Sequence, residues 1–164
     1  MKPFVELKGI MKMYGHSKSN KVAVLKDVSF SFEQGEIIGL IGASGAGKST
    51  IGKIFVGLEQ QTKGSITVDG INFHTLSKKA RRQFAKNIAM IFQDPYESLS
   101  SRMKISQLIE EPLIIQKIEP DAKKREQLVR EALQVVSLDP DKYMTRYPHE
   151  LSGGERQRVG VARA

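Results

Sequence analysis

A glycine-rich segment between residues 42 and 49 constrains this chain more than any other feature. It reads G-A-S-G-A-G-K-S and matches the phosphate-loop pattern G-x-x-x-x-G-K-[ST]. The apolar run at residues 36–41, EIIGLI, predicts a strand buried on both faces, and residues 48–56 predict a helix. A strand that leads through such a loop into a helix is the local structure that binds nucleotide phosphates.

Each residue type in this loop has a physical reason. Gly42, Gly45 and Gly47 let the backbone turn tightly and approach an anion closely, so that N–H groups, including that of Ser44, point inward as a nest. The following helix adds the positive end of its dipole. Lys48 would place its ammonium on the β and γ phosphates. The loop predicts nucleotide binding, although kinases, GTPases and ATPases share it, and a glycine-rich turn that binds nothing is the alternative.

A second glycine-containing motif begins at Leu151, 109 residues after Gly42. It reads L-S-G-G-E-R-Q-R. Ser152, Gly153 and Gly154 at the start of a helix predict a second anion-binding site with a free hydroxyl. An ordinary capped helix, with Ser152 as the cap, is the alternative interpretation.

The two motifs and their spacing resemble the ATP-binding cassette (ABC) ATPases, whose signature is written L-S-G-G-Q and often L-S-G-G-E in transporters. The resemblance covers essentially the whole chain. It implies an α/β fold, namely a P-loop NTPase (RecA-like) core with an antiparallel β subdomain and an α-helical subdomain. The β subdomain and phosphate-loop core would occupy residues 1–93, and the helical subdomain, ending in the signature helix, residues 94–164. The implied cofactors are ATP and Mg²⁺.

The same resemblance implies roles for residues around the nucleotide. Lys48, Ser49 and Thr50 would hold the phosphates and the metal, with the Ser49 hydroxyl on Mg²⁺. Gln93 matches the glutamine loop of the family, so Lys48 and Gln93 would be catalytic and Gln93 would also reach the metal; a polar residue at a strand end is the alternative. Tyr14 stands where the family has the aromatic ring that stacks on adenine, and an aromatic packed against the core is the alternative.

The signature motif implies a partner subunit. In the family, Ser152, Gly153 and Gly154 would bind the γ-phosphate of ATP held by a second ABC ATPase subunit. This arrangement implies a head-to-tail dimer with ATP at its interface.

One stretch indicates a subgroup of the family. It spans residues 92–103 and reads F-Q-D-P-Y-E-S-L-S-S-R-M. They resemble the F-Q-D-P-x-x-S-L-N-P-R-M run of dipeptide, oligopeptide and nickel importer ATPases, and depart from it at Ser100 and Ser101. The resemblance implies the motor subunit of a peptide importer, bound to transmembrane permease subunits at the cytoplasmic face of the membrane. The alternative is that these residues only shape a loop facing some other transmembrane partner.

Periodicity predicts the remaining elements. Strands are expected at residues 4–11, 24–32, 65–68, 71–73 and 88–92, with a hairpin turn at Asp69-Gly70. Helices are expected at residues 78–87, 106–115 with an interruption at Pro112, 121–136 with Asp121 as cap, and from about residue 154 to the end.

Composition narrows the function classes. The chain contains no cysteine, which excludes a disulfide framework and a cysteine-based zinc site, and its three histidines are scattered. No apolar stretch approaches the ~18 residues of a membrane span, and the first ten residues do not form a signal peptide. The basic residues that give the net charge of +8 are dispersed, except for a cluster at residues 78–82. This cluster is either a solvated face of a helix or a contact with a partner. No RNA-binding aromatic motif accompanies it, so no nucleic-acid partner is expected.

The chain ends at Ala164, before the family's next core strand with its metal-binding aspartate and catalytic glutamate. We therefore expect a fragment without the C-terminal core strands that binds ATP without efficient turnover. A non-transport ABC protein and a small P-loop kinase are the alternative functions. The spacing of the motifs excludes the long coiled coils of chromosome-maintenance ATPases.

Overall fold

A computed structural model describes residues 3–15, 20–92 and 99–164 of the chain. It divides into two compact units, Met1–Ile88 and Ala89–Ala164. The predicted subdomain boundary between residues 93 and 94 stays a prediction, because residues 93–98 lie outside the described part.

The first unit is built on a three-stranded antiparallel sheet. Its strands are β1 (Val5–Tyr14), β2 (Val22–Phe32) and β3 (Lys63–Val68), in the order β2-β1-β3. Val5 of the central strand pairs with Phe32 on one side and Val68 on the other. The strands predicted from alternating apolar residues are therefore confirmed.

The turn after β3 is a tight two-residue connection. Asp69 and Gly70 both have positive φ, 49° and 73°, as a type I′ turn requires. The N–H of Val68 donates to the carbonyl of Ile71 at 3.0 Å, and the reverse bond measures 2.9 Å. The predicted turn is confirmed, whereas the strand expected at residues 71–73 is limited to the bridge at Ile71, followed by a 3₁₀ turn, Phe73–Thr75.

Helix α1 (Lys48–Phe55) packs against this sheet. Its Ile54 is fully buried, and Ile51 and Phe55 contact the same core. The buried members of this core are Val5, Leu7, Ile10, Leu25, Ile54, Ile66 and Val68. Burial of each large aliphatic side chain contributes roughly 1.5–3 kcal/mol, which fixes the helix, and the loop before it, on the sheet. Helix α2 (Lys78–Phe84) and a 3₁₀ turn, Ala85–Asn87, follow.

Two predicted buried strands are wrong. Residues 36–41 and 88–92 form no strand, and Ile37 and Ile41 are 99% and 96% exposed. A strand buried on both faces needs hydrogen-bonded neighbours on its edges, and within the described residues neither segment has one. Every strand pair of the described residues is antiparallel, so these segments do not form the parallel part of the expected core.

The second unit is helical. It comprises α3 (Ile105–Ile115), α4 (Ala122–Val135), α5 (Pro140–Tyr143), a 3₁₀ turn (Pro148–Glu150) and α6 (Gly153–Arg163). Its core consists of Leu99, Ile105, Leu108, Ile109, Val129, Leu133, Leu138, Leu151 and Val159. None of the helices in the described part of the chain is both long and apolar enough to cross a membrane.

A side-chain cap and two ion pairs stabilise the helices of this unit. The Asp121 carboxylate accepts the N–H groups of Lys123 and Lys124 at 2.8 and 3.2 Å, which confirms the predicted cap of α4. Ion pairs Arg125–Glu110 and Arg163–Glu111, at 2.8 and 2.7 Å, join α3 to α4 and to α6. Pro112 lies inside α3, where it removes one backbone N–H from the helix.

Candidate nucleotide-binding site

The loop between residues 42 and 47 turns through glycines in the left-handed region. Gly45 and Gly47 have φ values of 78° and 87°, and the N–H of Ala46 donates to the carbonyl of Ala43 at 3.2 Å. A Cβ at Gly47 would lie 2.6 Å from Cδ2 of Leu25, so the loop also approaches β2 closely there. Gly42 has no such requirement, because its φ is ordinary and a Cβ would meet its nearest neighbour at 3.5 Å.

Lys48 is held over the loop by backbone oxygens. Its ammonium donates to the carbonyls of Gly42 and Ala43 at 2.7 and 2.6 Å. These contacts place a half-buried positive charge within the curve of the loop. The Ser44 side chain is exposed on the loop.

The first turn of α1 supplies further donors. Gly47 caps the helix without a side-chain acceptor, and Ile51 is the first residue whose N–H bonds within the helix, to the carbonyl of Gly47 at 2.9 Å. The N–H groups of residues 48–50 have no intrahelical acceptor by helix geometry, and no acidic residue lies in this turn. Together with Lys48 and the exposed hydroxyl of Ser49, they form a concentrated set of donors suited to an anion.

One oxygen beside the loop, that of the Ser49 hydroxyl, could bind a magnesium ion carried by the anion. The described residues contain no group of three or more His, Asp or Glu side chains arranged as a metal cage. Mg²⁺ commonly binds through one or two protein oxygens together with phosphate oxygens and water. The Ser49 hydroxyl beside the loop fits this role, while the predicted metal contact of Gln93 lies outside the described residues.

Tyr14 lies at the end of β1, with 40% of its surface exposed. Its hydroxyl donates to the Glu59 carboxylate, whose Oε2 lies 3.2 Å from Nζ of Lys12. The hydrogen bond to Glu59 raises the pKa of Tyr14, and the same bond, assisted by Lys12, lowers the pKa of Glu59. Sequence reasoning missed Lys12 and Glu59, because Glu59 is 45 residues from Tyr14 and no local pattern joins them.

The signature motif forms a capped helix start. Ser152 is the N-cap of α6: its Oγ accepts the N–H of Glu155 at 3.4 Å and donates to the Glu155 carboxylate at 2.7 Å. The prediction of a free hydroxyl is therefore wrong, because the capping box uses it. Gly153 and Gly154 are exposed, and a Cβ on either would meet nothing within 4 Å.

A tyrosine from the preceding helix supports this cap. The hydroxyl of Tyr143 donates to Glu155, and the Arg146 guanidinium lies 4.9 Å from the centre of the Tyr143 ring. Hydrogen bonds from Tyr143 first, and then from Ser152, lower the pKa of Glu155 to about 2. This support was also missed, since the residues of α5 carry no motif of their own.

The predicted site residues therefore fall into two groups. The loop, Lys48, Ser49, Thr50 and Tyr14 belong to the first unit. Ser152, Gly153 and Gly154 belong to the second unit.

The model of the ABC transporter family matches residues 25–164. This chain belongs to the ABC transporter family. This ABC protein is 43% identical over 162 residues to a curated relative, the putative oligopeptide transport ATP-binding protein YkfD of Bacillus subtilis. The match covers 99% of this chain and 49% of the relative. The chain is 42% identical to the oligopeptide transport ATP-binding protein OppF of Streptococcus mutans, covering 99% of this chain and 53% of the relative. The chain thus spans about half the length of these relatives.

A solved structure shares the fold of this ABC protein. The dimeric ATP-binding cassette MJ0796, in a post-hydrolysis state bound to ADP and Pi, aligns with a TM-score of 0.86 and 28% identity. The alignment covers 97% of this chain and 68% of the other. The predicted resemblance to ABC ATPases, and to their peptide-importer group, is confirmed.

Proposed function

We propose that this ABC protein is the ATP-binding motor subunit of a peptide importer. The names of its relatives, which describe oligopeptide transport ATP-binding proteins, support the substrate class. The observation that carries nucleotide binding is the position of the Lys48 ammonium, held 2.7 and 2.6 Å from two loop carbonyls beside the free amides of α1. A triphosphate is the ligand whose charge and size match this set of donors.

The loop, Lys48, Ser49 and Thr50 would bind the phosphates of ATP, and Ser49 would bind Mg²⁺. When bound, the magnesium ion neutralises charge on the phosphate oxygens. Lys48 contributes a second positive charge and holds the terminal phosphates in one orientation, which is the larger part of what a protein supplies in phosphoryl transfer. Gln93 is proposed as a further contact to the metal and the attacking water.

The partners proposed for this subunit are transmembrane permease subunits and a second ABC ATPase subunit in a head-to-tail dimer. Ser152, Gly153 and Gly154 would bind the γ-phosphate of ATP held by that second subunit, and the Ser152 hydroxyl would then turn from the Glu155 carboxylate, to which it donates in this structure, to the phosphate. The dimeric state of MJ0796 supports the assembly, and exposure of both glycines supports a close approach by a ligand. The resulting complex would lie at the cytoplasmic face of the membrane.

We further propose that the 164-residue chain alone hydrolyses ATP slowly. Lys48, Ser49 and the helix amides are donors that bind phosphate, whereas hydrolysis also needs an oriented water. A phosphate-release assay at saturating Mg-ATP tests this, with Lys48→Ala as the background. A turnover near 1 per second above that background contradicts the proposal.

Calorimetry with Lys48→Ala tests nucleotide binding itself. Removal of the ammonium eliminates a charge-assisted contact worth ~1.5–3 kcal/mol, so Mg-ATP affinity should fall about tenfold to a hundredfold. Lys63→Ala is the matched control, because it removes the same charge from an exposed position at the start of β3. Equal ATP affinity for wild type and Lys48→Ala would refute nucleotide binding at this loop.

A further inference from the structure

The Tyr14 side chain is held by two charged neighbours. Its hydroxyl donates to Glu59, and Nζ of Lys12 lies 4.7 Å from the centre of its ring. Lys12 and Glu59 also pair with each other at 3.2 Å, and their side chains are only 14% and 24% exposed. The ring is thus fixed both at its hydroxyl end and on one face.

This group of three residues, Lys12, Tyr14 and Glu59, is fastened to α1. The N–H of Glu59 donates to the carbonyl of Lys53, in the last turn of the helix, at 3.1 Å. Lys12 donates to the carbonyl of Gln60 at 2.8 Å, which ties β1 to the segment after the helix, next to Glu59. The ring is therefore connected, through Glu59, to the last turn of the helix that begins with Lys48.

We propose that Lys12 and Glu59 are positioning residues that hold the Tyr14 ring ready to stack on the base of a nucleotide whose phosphates bind at the loop. The inference rests on the proposed function and adds to it the residues that determine base binding. The Lys12 ammonium occupies one face of the ring, so a base stacks on the opposite face. An aromatic side chain that is already fixed loses less conformational entropy when a ligand stacks on it, and affinity rises accordingly.

Two ligands separate the contribution of the base to binding affinity from that of the phosphates. Mg-ATP carries both a base and a triphosphate, whereas Mg-tripolyphosphate carries no base. Calorimetry with Tyr14→Phe and Glu59→Ala should show ATP bound about threefold to tenfold more weakly, with tripolyphosphate affinity unchanged. Lys12→Met, which keeps an apolar stem and removes the ammonium, should change ATP affinity in the same direction.

The matched control is Glu6→Ala. Glu6 lies on the same strand and pairs with Lys8 at 2.9 Å, so the substitution removes a lysine-paired carboxylate away from Tyr14. It should leave the affinities of both ligands unchanged. Thermal unfolding of each variant shows whether it is folded, and Tyr14→Phe, which loses a single oxygen atom, decides the question if Glu59→Ala does not fold.

The outcomes separate this inference from the proposed function. Weaker ATP binding with unchanged tripolyphosphate binding supports the positioning role. Equal losses for both ligands, or no loss for ATP in Tyr14→Phe and Glu59→Ala, overturn it and leave the three residues a structural connection between β1 and α1. A failure of Lys48→Ala to weaken either ligand is a different result and overturns nucleotide binding at the loop instead.

Discussion

Gly45 and Gly47 share a backbone conformation but differ in their surroundings. Both lie in the left-handed region, which disfavours any residue with a Cβ by roughly 1–2 kcal/mol. A Cβ at Gly45 would meet nothing within 4 Å, whereas one at Gly47 would collide with Leu25 at 2.6 Å. At Gly42 neither constraint applies.

A graded effect on stability follows for alanine substitutions in the loop. Gly42→Ala should leave the free energy of unfolding nearly unchanged, and Gly45→Ala should lower it by about 1–2 kcal/mol. Gly47→Ala should lower it by a further ~1–3 kcal/mol, because the clash with Leu25 adds to the backbone strain. Urea unfolding measures all three, and equal losses for Gly45→Ala and Gly47→Ala would contradict the role of Leu25.

The loop sequence predicts that glycines are needed but not which glycine is crowded. The crowding at Gly47 depends on Leu25, a residue of β2 that the motif does not include. The contacts of Tyr14 show the same limit. Its place at a strand end follows from the sequence, but its bond to Glu59 exists only because α1 packs on the sheet.

At the scale of elements, the start of α6 depends on one carboxylate. Glu155 accepts hydrogen bonds from the Ser152 N–H, the Ser152 hydroxyl and the Tyr143 hydroxyl. All three donors favour its ionised form, and its pKa falls from an ordinary 4.5 to about 2. Its contribution to stability is therefore complete above pH 4.5 and is lost as the pH falls from 4.5 through 2.

Glu155→Gln tests this pH dependence. The variant should be less stable than wild type at neutral pH, because its neutral amide is a weaker acceptor for the three donors, and the difference should shrink as the pH falls from 4.5 toward 2. The measurement is the free energy of unfolding of both proteins across this range. Glu33→Gln, at an exposed position of the first unit, serves as the control. A difference between Glu155→Gln and wild type that stays constant with pH would contradict the assignment.

Elements with local patterns were predicted well, and elements that need distant partners were not. Asp121 and the helical spacing after it determine α4 within one stretch of sequence, and alternation determines β1 and β2. The run EIIGLI has the composition of a buried strand, but hydrogen-bonded neighbours decide whether a strand forms. Apolar composition predicts that a segment is buried, but it does not identify the neighbouring strands with which the segment would pair.

At the scale of the whole molecule, an apolar surface lies along residues 36–41. The side chains of Ile37 and Ile41 are almost entirely exposed, and Ile38 and Leu40 are about half exposed. The backbone amide and carbonyl groups there lie outside any ladder of the described residues. Exposed apolar residues on a segment without hydrogen-bonded neighbours favour association with another chain.

We therefore expect this chain to self-associate in the absence of nucleotide. Substitution of Ile37 and Ile41 by lysine should shift the protein toward monomer, because charge on an unpaired edge opposes pairing. Sedimentation velocity at increasing protein concentration measures the shift. Val22→Lys, which charges another exposed apolar position, is the matched control. The expectation fails if wild type remains monomeric, or if the control shifts it equally.

The connection of Tyr14 to α1 through Glu59 has a thermodynamic consequence. Under the proposed function the ring and the phosphate loop would hold opposite ends of one ligand. Helix α1 lies between them, because it begins at the loop and its Lys53 carbonyl accepts the N–H of Glu59, which holds the ring. If occupation of the loop alters the position of that helix, then the affinities for adenosine and for triphosphate are coupled. By linkage the coupling is reciprocal: whatever factor triphosphate adds to adenosine affinity, adenosine adds to triphosphate affinity. The identity of the base would then also change the affinity of the loop for the triphosphate.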